Sequence, residues 1–258
     1  MSYKYILNKE EKTIVNGIRI ATNNQMHEAV QIFNKSIDEL DRLSQELAIN
    51  IFETLGMRNL SGFIGEVFAS SLAKVMNGIL VKNLHQDGYP DLLFNYTDEM
   101  KSYYRTTFTT KLDRLYPVSK EIFSPYKYGG LEVKSTCGST PSATSKVPKP
   151  LIGEQRIDLV NQFDWKAHHR ETNNLIGLLW DFIEGKPIIC AVFFRNDLTE
   201  ADWGNIVQPR EGGGRTTSVS IMNSSGILKM CQSWIMVIDD QKYINKLAQR
   251  KWIGHKVK

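Results

Sequence analysis

The chain has 258 residues, 41% of them hydrophobic and 23% charged, which is ordinary for a folded protein with one sizeable core. Its net charge of +4 and pI near 8.8 permit a polyanionic partner without demanding one. No apolar run approaches the roughly twenty residues that span a bilayer, and Cys137, Cys190 and Cys231 form no CxxC pair, so a membrane protein and a structural zinc fold are both excluded as expectations.

In chain order, residues 24–55 read as a long amphipathic helix with room for one break. Ala29, Val30, Phe33, Ile37, Leu40, Leu43, Leu47, Ile51 and Leu55 recur at three- and four-residue steps, the spacing of one helix face. Ser61 reads as the N-cap of a second helix running to about Met76, with Asn77-Gly78 as its left-handed stop. Residues 79–81 form a short strand, residues 85–89 a turn and residues 91–96 a second strand. Residues 97–129 have weak periodicity and are expected to be an inserted loop or hairpin excursion. Most of its aromatics, Tyr103, Tyr104, Phe108, Tyr116, Phe123, Tyr126 and Tyr128, read as a small satellite core. A strand follows at 130–135, and residues 136–153 form a loop dominated by Gly, Pro and hydroxyl residues.

Residues 171–183 are expected to be a helix, with Leu175, Ile176, Leu178, Leu179, Phe182 and Ile183 on its apolar side and Gly185 ending it. Pro187 to Phe194 is almost wholly apolar, as in a strand buried on both faces. Residues 218–222 and 233–238 are further strands, and residues 239–250 close the fold as a helix. The class is α/β, a central mixed β-sheet flanked by helices, in one domain over 1–258. Of the five tryptophans, Trp203, beside a polar loop, is the expected exception to burial.

Two stretches carry chemistry. Pro90-Asp91 opens one short strand, and Glu132-Val133-Lys134 ends the run that begins Gly130-Leu131. Side chains alternate along a strand, so Glu132 and Lys134 share a face while Val133 turns into the core. If the Asp91 strand is a neighbour, its carboxylate meets Glu132 at one point. Two carboxylates suit a hard cation such as Mg²⁺, and an ammonium beside them can hold a water and a phosphate. The arrangement reads as a metal-dependent phosphodiesterase site.

This order, Pro-Asp then Glu-x-Lys, resembles the PD-(D/E)xK nuclease superfamily, and the whole chain is most similar to its type II restriction endonucleases. The resemblance implies Asp91, Glu132 and Lys134 as the catalytic set and a restriction-endonuclease-like core. It implies Mg²⁺ as cofactor, with Mn²⁺ as a substitute, held by Asp91, Glu132 and the carbonyl of Val133. It also implies Glu66, in the helix before the first catalytic strand, as an assisting acid. The activity implied is Mg²⁺-dependent cleavage of double-stranded DNA at a short sequence, leaving 5′-phosphate ends. A homodimer follows if the site is a palindrome. A prokaryotic cytoplasm and a cognate DNA methyltransferase encoded nearby belong to the same expectation. A repair or junction nuclease of the same fold and a non-catalytic DNA-binding module are the alternatives.

Candidate DNA contacts follow from position. Lys146 and Lys149 lie in the loop leaving the catalytic strand, and Arg156, Arg170 and Asn173 lie beyond it. Arg210, Arg215 and Thr216 flank or follow the Gly212-Gly213-Gly214 run, where arginines read as forks for guanine or phosphate. His168-His169 read as DNA-contact or helix-start residues, since neighbours on a strand face opposite ways. Lys101, Arg105, Lys111 and Arg114 make the excursion at 97–129 a candidate DNA-facing arm.

Overall fold

Near the N-terminus, Thr22 and Gln25 cap each other reciprocally: Thr22 Oγ1 accepts from Gln25 N at 3.1 Å and Gln25 Oε1 accepts from Thr22 N at 2.8 Å. This box starts α1 (Asn23–Glu46), which follows three short strands, β1 (Tyr5–Leu7), β2 (Ile14–Val15) and β3 (Ile18–Arg19). The computed structural model describes residues 3–85, 88–112, 114–118, 126–141, 148–208 and 218–249, apart from the side chains of Arg58, Leu115 and Gln249.

The expected helix over 24–55 is two helices. Ala48 turns left-handed, and Asn50 Oδ1 accepts from the backbone of Phe52 and Glu53 to begin α2 (Ile51–Met76). Ser61 is therefore not an N-cap. It sits inside α2, whose one interruption is Gly56 (φ 68°, ψ 159°), a conformation open mainly to glycine. Ser61 instead ties α2 to the sheet, its hydroxyl accepting from Trp180 Nε1 at 3.3 Å and its carbonyl from Ser135 Oγ at 2.6 Å. Asn77 ends α2 in the left-handed region.

Next come β4 (Leu80–Lys82), β5 (Leu92–Phe94), α3 (Asp98–Thr107) and the hairpin β6 (Phe108–Lys111) and β7 (Arg114–Pro117). The excursion over 97–129 thus opens with a helix that weak periodicity concealed. Its Phe108 and Tyr126 pack with Leu93, joined by Tyr103, Tyr104 and Tyr128. Tyr116 is exposed, and Phe123 lies outside the described residues.

The central elements are β8 (Gly130–Thr136), β9 (Lys166–Ala167), β10 (Leu175–Ile183) and β11 (Lys186–Arg195), followed by β12 (Ser220–Ile221), α4 (Ser224–Gln232), β13 (Trp234–Ile238) and α5 (Gln241–Gln249). The helix expected at 171–183 is the strand β10. Eight of its nine residues are buried, paired with β8 on one side and β11 on the other. A strand apolar on both faces has no period to distinguish it from a buried helix. Glu184 and Gly185, both at positive φ, turn it directly into β11, the two-residue hairpin geometry. His168 and His169 accordingly precede a strand, not a helix. Trp203 is buried, its indole donating to the Thr172 carbonyl at 3.1 Å, so the expectation of an exposed Trp203 is corrected.

Seven strands form one mixed sheet in the order β1-β13-β11-β10-β8-β5-β4. The β8–β10 pair is parallel and its other neighbours antiparallel. On one face α1 and α2 lay Phe33, Ile37, Ile64, Phe68 and Leu72 against Leu92, Val133, Ile176 and Leu178. On the other, Trp165, Met230 from α4 and Tyr243 from α5 cover Leu175, Leu179 and Phe193. The architecture is α/β, a large mixed sheet flanked by helices. No helix among the described residues is long and apolar enough to cross a membrane.

Candidate active site

Strand register brings the two sequence motifs together. Leu92 pairs with Leu131 and Leu93 with Gly130, which places Asp91 opposite Glu132 on the face away from α1 and α2. Close approach here depends on Gly130: a Cβ would stand 1.8 Å from the Leu92 carbonyl oxygen and 2.7 Å from Pro90. The two carboxyls then lock the junction. Val133 N donates to Asp91 Oδ2 at 2.8 Å, and Asp91 N donates to Glu132 Oε2 at 3.3 Å. Glu132 Oε1 accepts from Lys134 Nζ, one strand period along. Glu132 is only 5% exposed.

In so little water the neighbouring charges shift Asp91 and Lys134. Burial, then the charge of Glu132, pushes the Asp91 carboxyl up to about 7, against the pull of Lys134 and the Val133 N–H. Burial alone would lower Lys134, but the attraction of Glu132 and Asp91 wins and its ammonium is held above the ordinary lysine range. Lys134 is therefore a fixed cation rather than a base. Beside them Tyr89 stands edge-on to His169, with ring centroids 4.6 Å apart. Burial and then Glu132 raise the Tyr89 phenol; burial lowers His169.

Asp91 and Lys134 open into a cleft of about 710 Å³ whose walls include Glu66, Arg156, Asp164 and Lys166. A smaller cleft of about 390 Å³ lies on the other side of Glu66 and Asp91, against Lys82 and Asn83. Glu66 is in place but engaged, its Oε2 2.6 Å from Lys82 Nζ. Nothing in the linear sequence marked Lys82 or Asp164 as members. Asp164 accepts from Thr136 Oγ1 and pairs with Lys166 at 3.1 Å, contacts made only once the chain has folded back.

The donor set suits a hard cation. Asp91 and Glu132 supply carboxylate oxygens, and together with Lys134 they leave one excess negative charge when all are ionised. Among the described residues no three His, Cys, Asp or Glu side chains stand close enough to hold a metal ion, so a cation here would rest on two carboxylates completed by main-chain oxygen and water. Val133 lines the cleft, with its N–H spent on Asp91.

The expected DNA contacts separate on folding. Arg156 lines the cleft and Lys149 is exposed. Arg170 is turned to Glu200, 2.9 Å from its carbonyl and 3.5 Å from its carboxylate. Asn173 uses both ends of its amide on the 196–198 segment, donating to the Asn196 carbonyl at 2.9 Å and accepting from Leu198 N at 3.0 Å. Lys146, Arg210, Arg215 and Thr216 lie outside the described residues. In comparisons with known proteins, no family model, no curated protein and no solved structure matches the chain.

Proposed function

We propose that the chain is a metal-dependent endonuclease of double-stranded DNA, of the type II restriction kind, centred on Asp91, Glu132 and Lys134. The observation that carries this reading is the junction of β5 and β8. Two carboxyls from separate strands face each other beside a held ammonium, at the wall of an open cleft. A structural role alone is a poor account of Asp91. Its carboxyl is forced to titrate near neutrality, a cost that a functional site tolerates and a purely structural position does not select for.

Asp91 and Glu132 would hold Mg²⁺, or Mn²⁺ in its place, with the Val133 carbonyl as a further ligand. The cation would supply Lewis-acid stabilisation of the phosphate and a more acidic water. The chain's own groups do the rest. Lys134 keeps its proton and donates to a phosphate oxygen or orients the attacking water. Glu132 holds Lys134 in position. Glu66 reaches the same cleft from α2 and is available to orient a second water when Lys82 releases it. A homodimer would bring two such sites to the two strands of a palindrome, and a cognate methyltransferase would protect host DNA.

The test is digestion of supercoiled plasmid with and without Mg²⁺, followed by sequencing of the ends. Discrete fragments with 5′-phosphates, dependent on Mg²⁺, support the reading. Random nicking at any sequence would favour a repair or junction nuclease. No cleavage with Mg²⁺ or Mn²⁺, at any DNA form offered, would overturn it.

A further inference from the structure

Asp181 is a buried, heavily hydrogen-bonded carboxylate that takes no part in the Asp91 site. It stands on β10, 2% exposed. Its oxygens accept from Arg156 N at 2.8 and 3.0 Å, from Ile157 N at 2.9 Å, from Phe182 N at 2.8 Å and from Tyr243 Oη of α5 at 3.0 Å. Tyr243 Oη in turn accepts from Gln155 Nε2 at 2.9 Å. Sheet, α5 and the 155–157 segment thus converge on one buried charge, and the segment they immobilise is the one that carries Arg156 into the cleft.

Arg156 differs from the other cations there. Lys134 is paired with Glu132, and Lys166 with Asp164. The guanidinium of Arg156 makes no ion pair or hydrogen bond with any described residue, and its Nε is buried without an acceptor. A buried donor left without an acceptor costs free energy. A guanidinium fork matches the oxygens of a phosphate.

We infer that Arg156 is an anion-binding residue of the cleft, taking a non-bridging oxygen of a phosphodiester next to the scissile one, and that Asp181 is a positioning residue acting through it. The ligand class rests on the nuclease reading above; the anion site itself does not. Asp181 fixes the backbone of residues 156 and 157 so that the fork meets its ligand already in place, which lowers the ordering cost of binding.

The test follows the Nε–H resonance of Arg156 in ¹⁵N-labelled protein, identified by its loss in Arg156→Lys. Inorganic phosphate and a short random-sequence duplex are each titrated in. The resonance shifts with both. Arg156→Ala weakens duplex binding roughly tenfold, the size of one charge-assisted hydrogen bond, and lowers the salt slope by about 0.9. Asp181→Asn and the milder Tyr243→Phe weaken phosphate binding well below their melting temperatures, and neither adds to the effect of Arg156→Ala. If Asp181→Asn does not fold, Tyr243→Phe decides. A resonance indifferent to phosphate and duplex overturns the anion site. Unchanged phosphate affinity in both Asp181→Asn and Tyr243→Phe, with only melting temperature lowered, overturns the positioning role. A response to phosphate without any binding of duplex supports the site and counts against the nuclease reading alone.

Discussion

Replacing Asp91 by Asn should make the metal-free protein more stable at alkaline pH. Asn is isosteric, and its Oδ1 can keep the bond from Val133 N, but it carries no charge against Glu132. The sign follows from linkage. The carboxyl titrates near 3.8 when unfolded and near 7 when folded, so between these values the folded state holds a proton that the unfolded state has lost. The native protein therefore has the full contribution of a neutral Asp91 below about pH 4, and loses it as pH rises to about 7. Each pH step in that window is worth about 1.4 kcal/mol, which sums to on the order of 4 kcal/mol. An unpartnered Nδ2 in the variant returns about 1 kcal/mol. The expected gain at pH 8.5 is then on the order of 3 kcal/mol, or roughly 5–10 °C in a protein of this size, reversing to a loss of about 1 kcal/mol near pH 4, where only the unpartnered Nδ2 is left. Thermal unfolding in chelator at a series of pH values measures it. Adding Mg²⁺ should raise the melting temperature of the parent and leave the variant unmoved. A difference between the two proteins that does not change with pH would refute the claim that Asp91 is held out of its ordinary range.

The other expectations concern the same junction. Lys134→Ala and Glu132→Gln should each abolish cleavage while the fold persists, because Lys134 lines the cleft and Gln keeps the size and a hydrogen-bonding oxygen at the buried Glu132 position; plasmid digestion beside circular dichroism checks this, and near-native turnover in either variant would remove the site. Ca²⁺ should support duplex binding with little cleavage, since its looser coordination positions water poorly; full turnover in Ca²⁺ would point to a different donor set. Gly130→Ala should cost about 3 kcal/mol or more in denaturant unfolding, as overpacking against the Leu92 carbonyl leaves no room to relax. Unchanged stability would mean that β5 and β8 are not packed as described.

What was legible in the chain and what was not divides along physical lines. Pro90-Asp91 and Glu132-Val133-Lys134 could be paired in advance because strand alternation fixes which side chains share a face, and short strands leave little register to choose. The helix over 62–76 was visible for the same reason, since one face of it is apolar and the other polar. β10 was misassigned because burial on both faces erases periodicity, so the run Leu175 to Ile183 looks alike as helix or strand. Ser61 carries the right side chain for a cap, but the cap goes to Asn50, eleven positions earlier, because only there does the chain leave the left-handed turn at Ala48. Partners met through folding were beyond reach. Lys82 finds Glu66, Asp164 finds Thr136, and Asp181 finds the backbone of Arg156 across 25 positions. Arg170 and Asn173, expected as DNA contacts, fasten the 196–200 segment, partners that their place in the sequence does not announce.

The location of the site follows from how the sheet is paired and covered. On the face away from α1 and α2, Phe108 and Tyr126 cap β5 through Leu93, and the layer of Trp165 and Met230 caps β10 through Leu175 and Leu179. β8 runs between them, and on that face it presents Glu132, Lys134 and Thr136, none of which either cluster takes in. Gly177, paired with Lys134 across the parallel ladder, keeps the second cover close: a Cβ there would stand 2.6 Å from Met230 Cε and 3.0 Å from Trp165. The cleft opens where β5 ends and β8 runs on past it, between Ser61, Gly65 and Glu66 of α2 on one side and Arg156, Asp164 and Lys166 on the other. Beyond Leu131, β8 has no ladder partner in β5, and the Asp91 carboxylate takes the Val133 N–H in its place. A site built this way needs rigid strands more than it needs loops. Substitutions at Gly130 and Gly177, which carry no functional group at all, should accordingly damage the packing that holds the site.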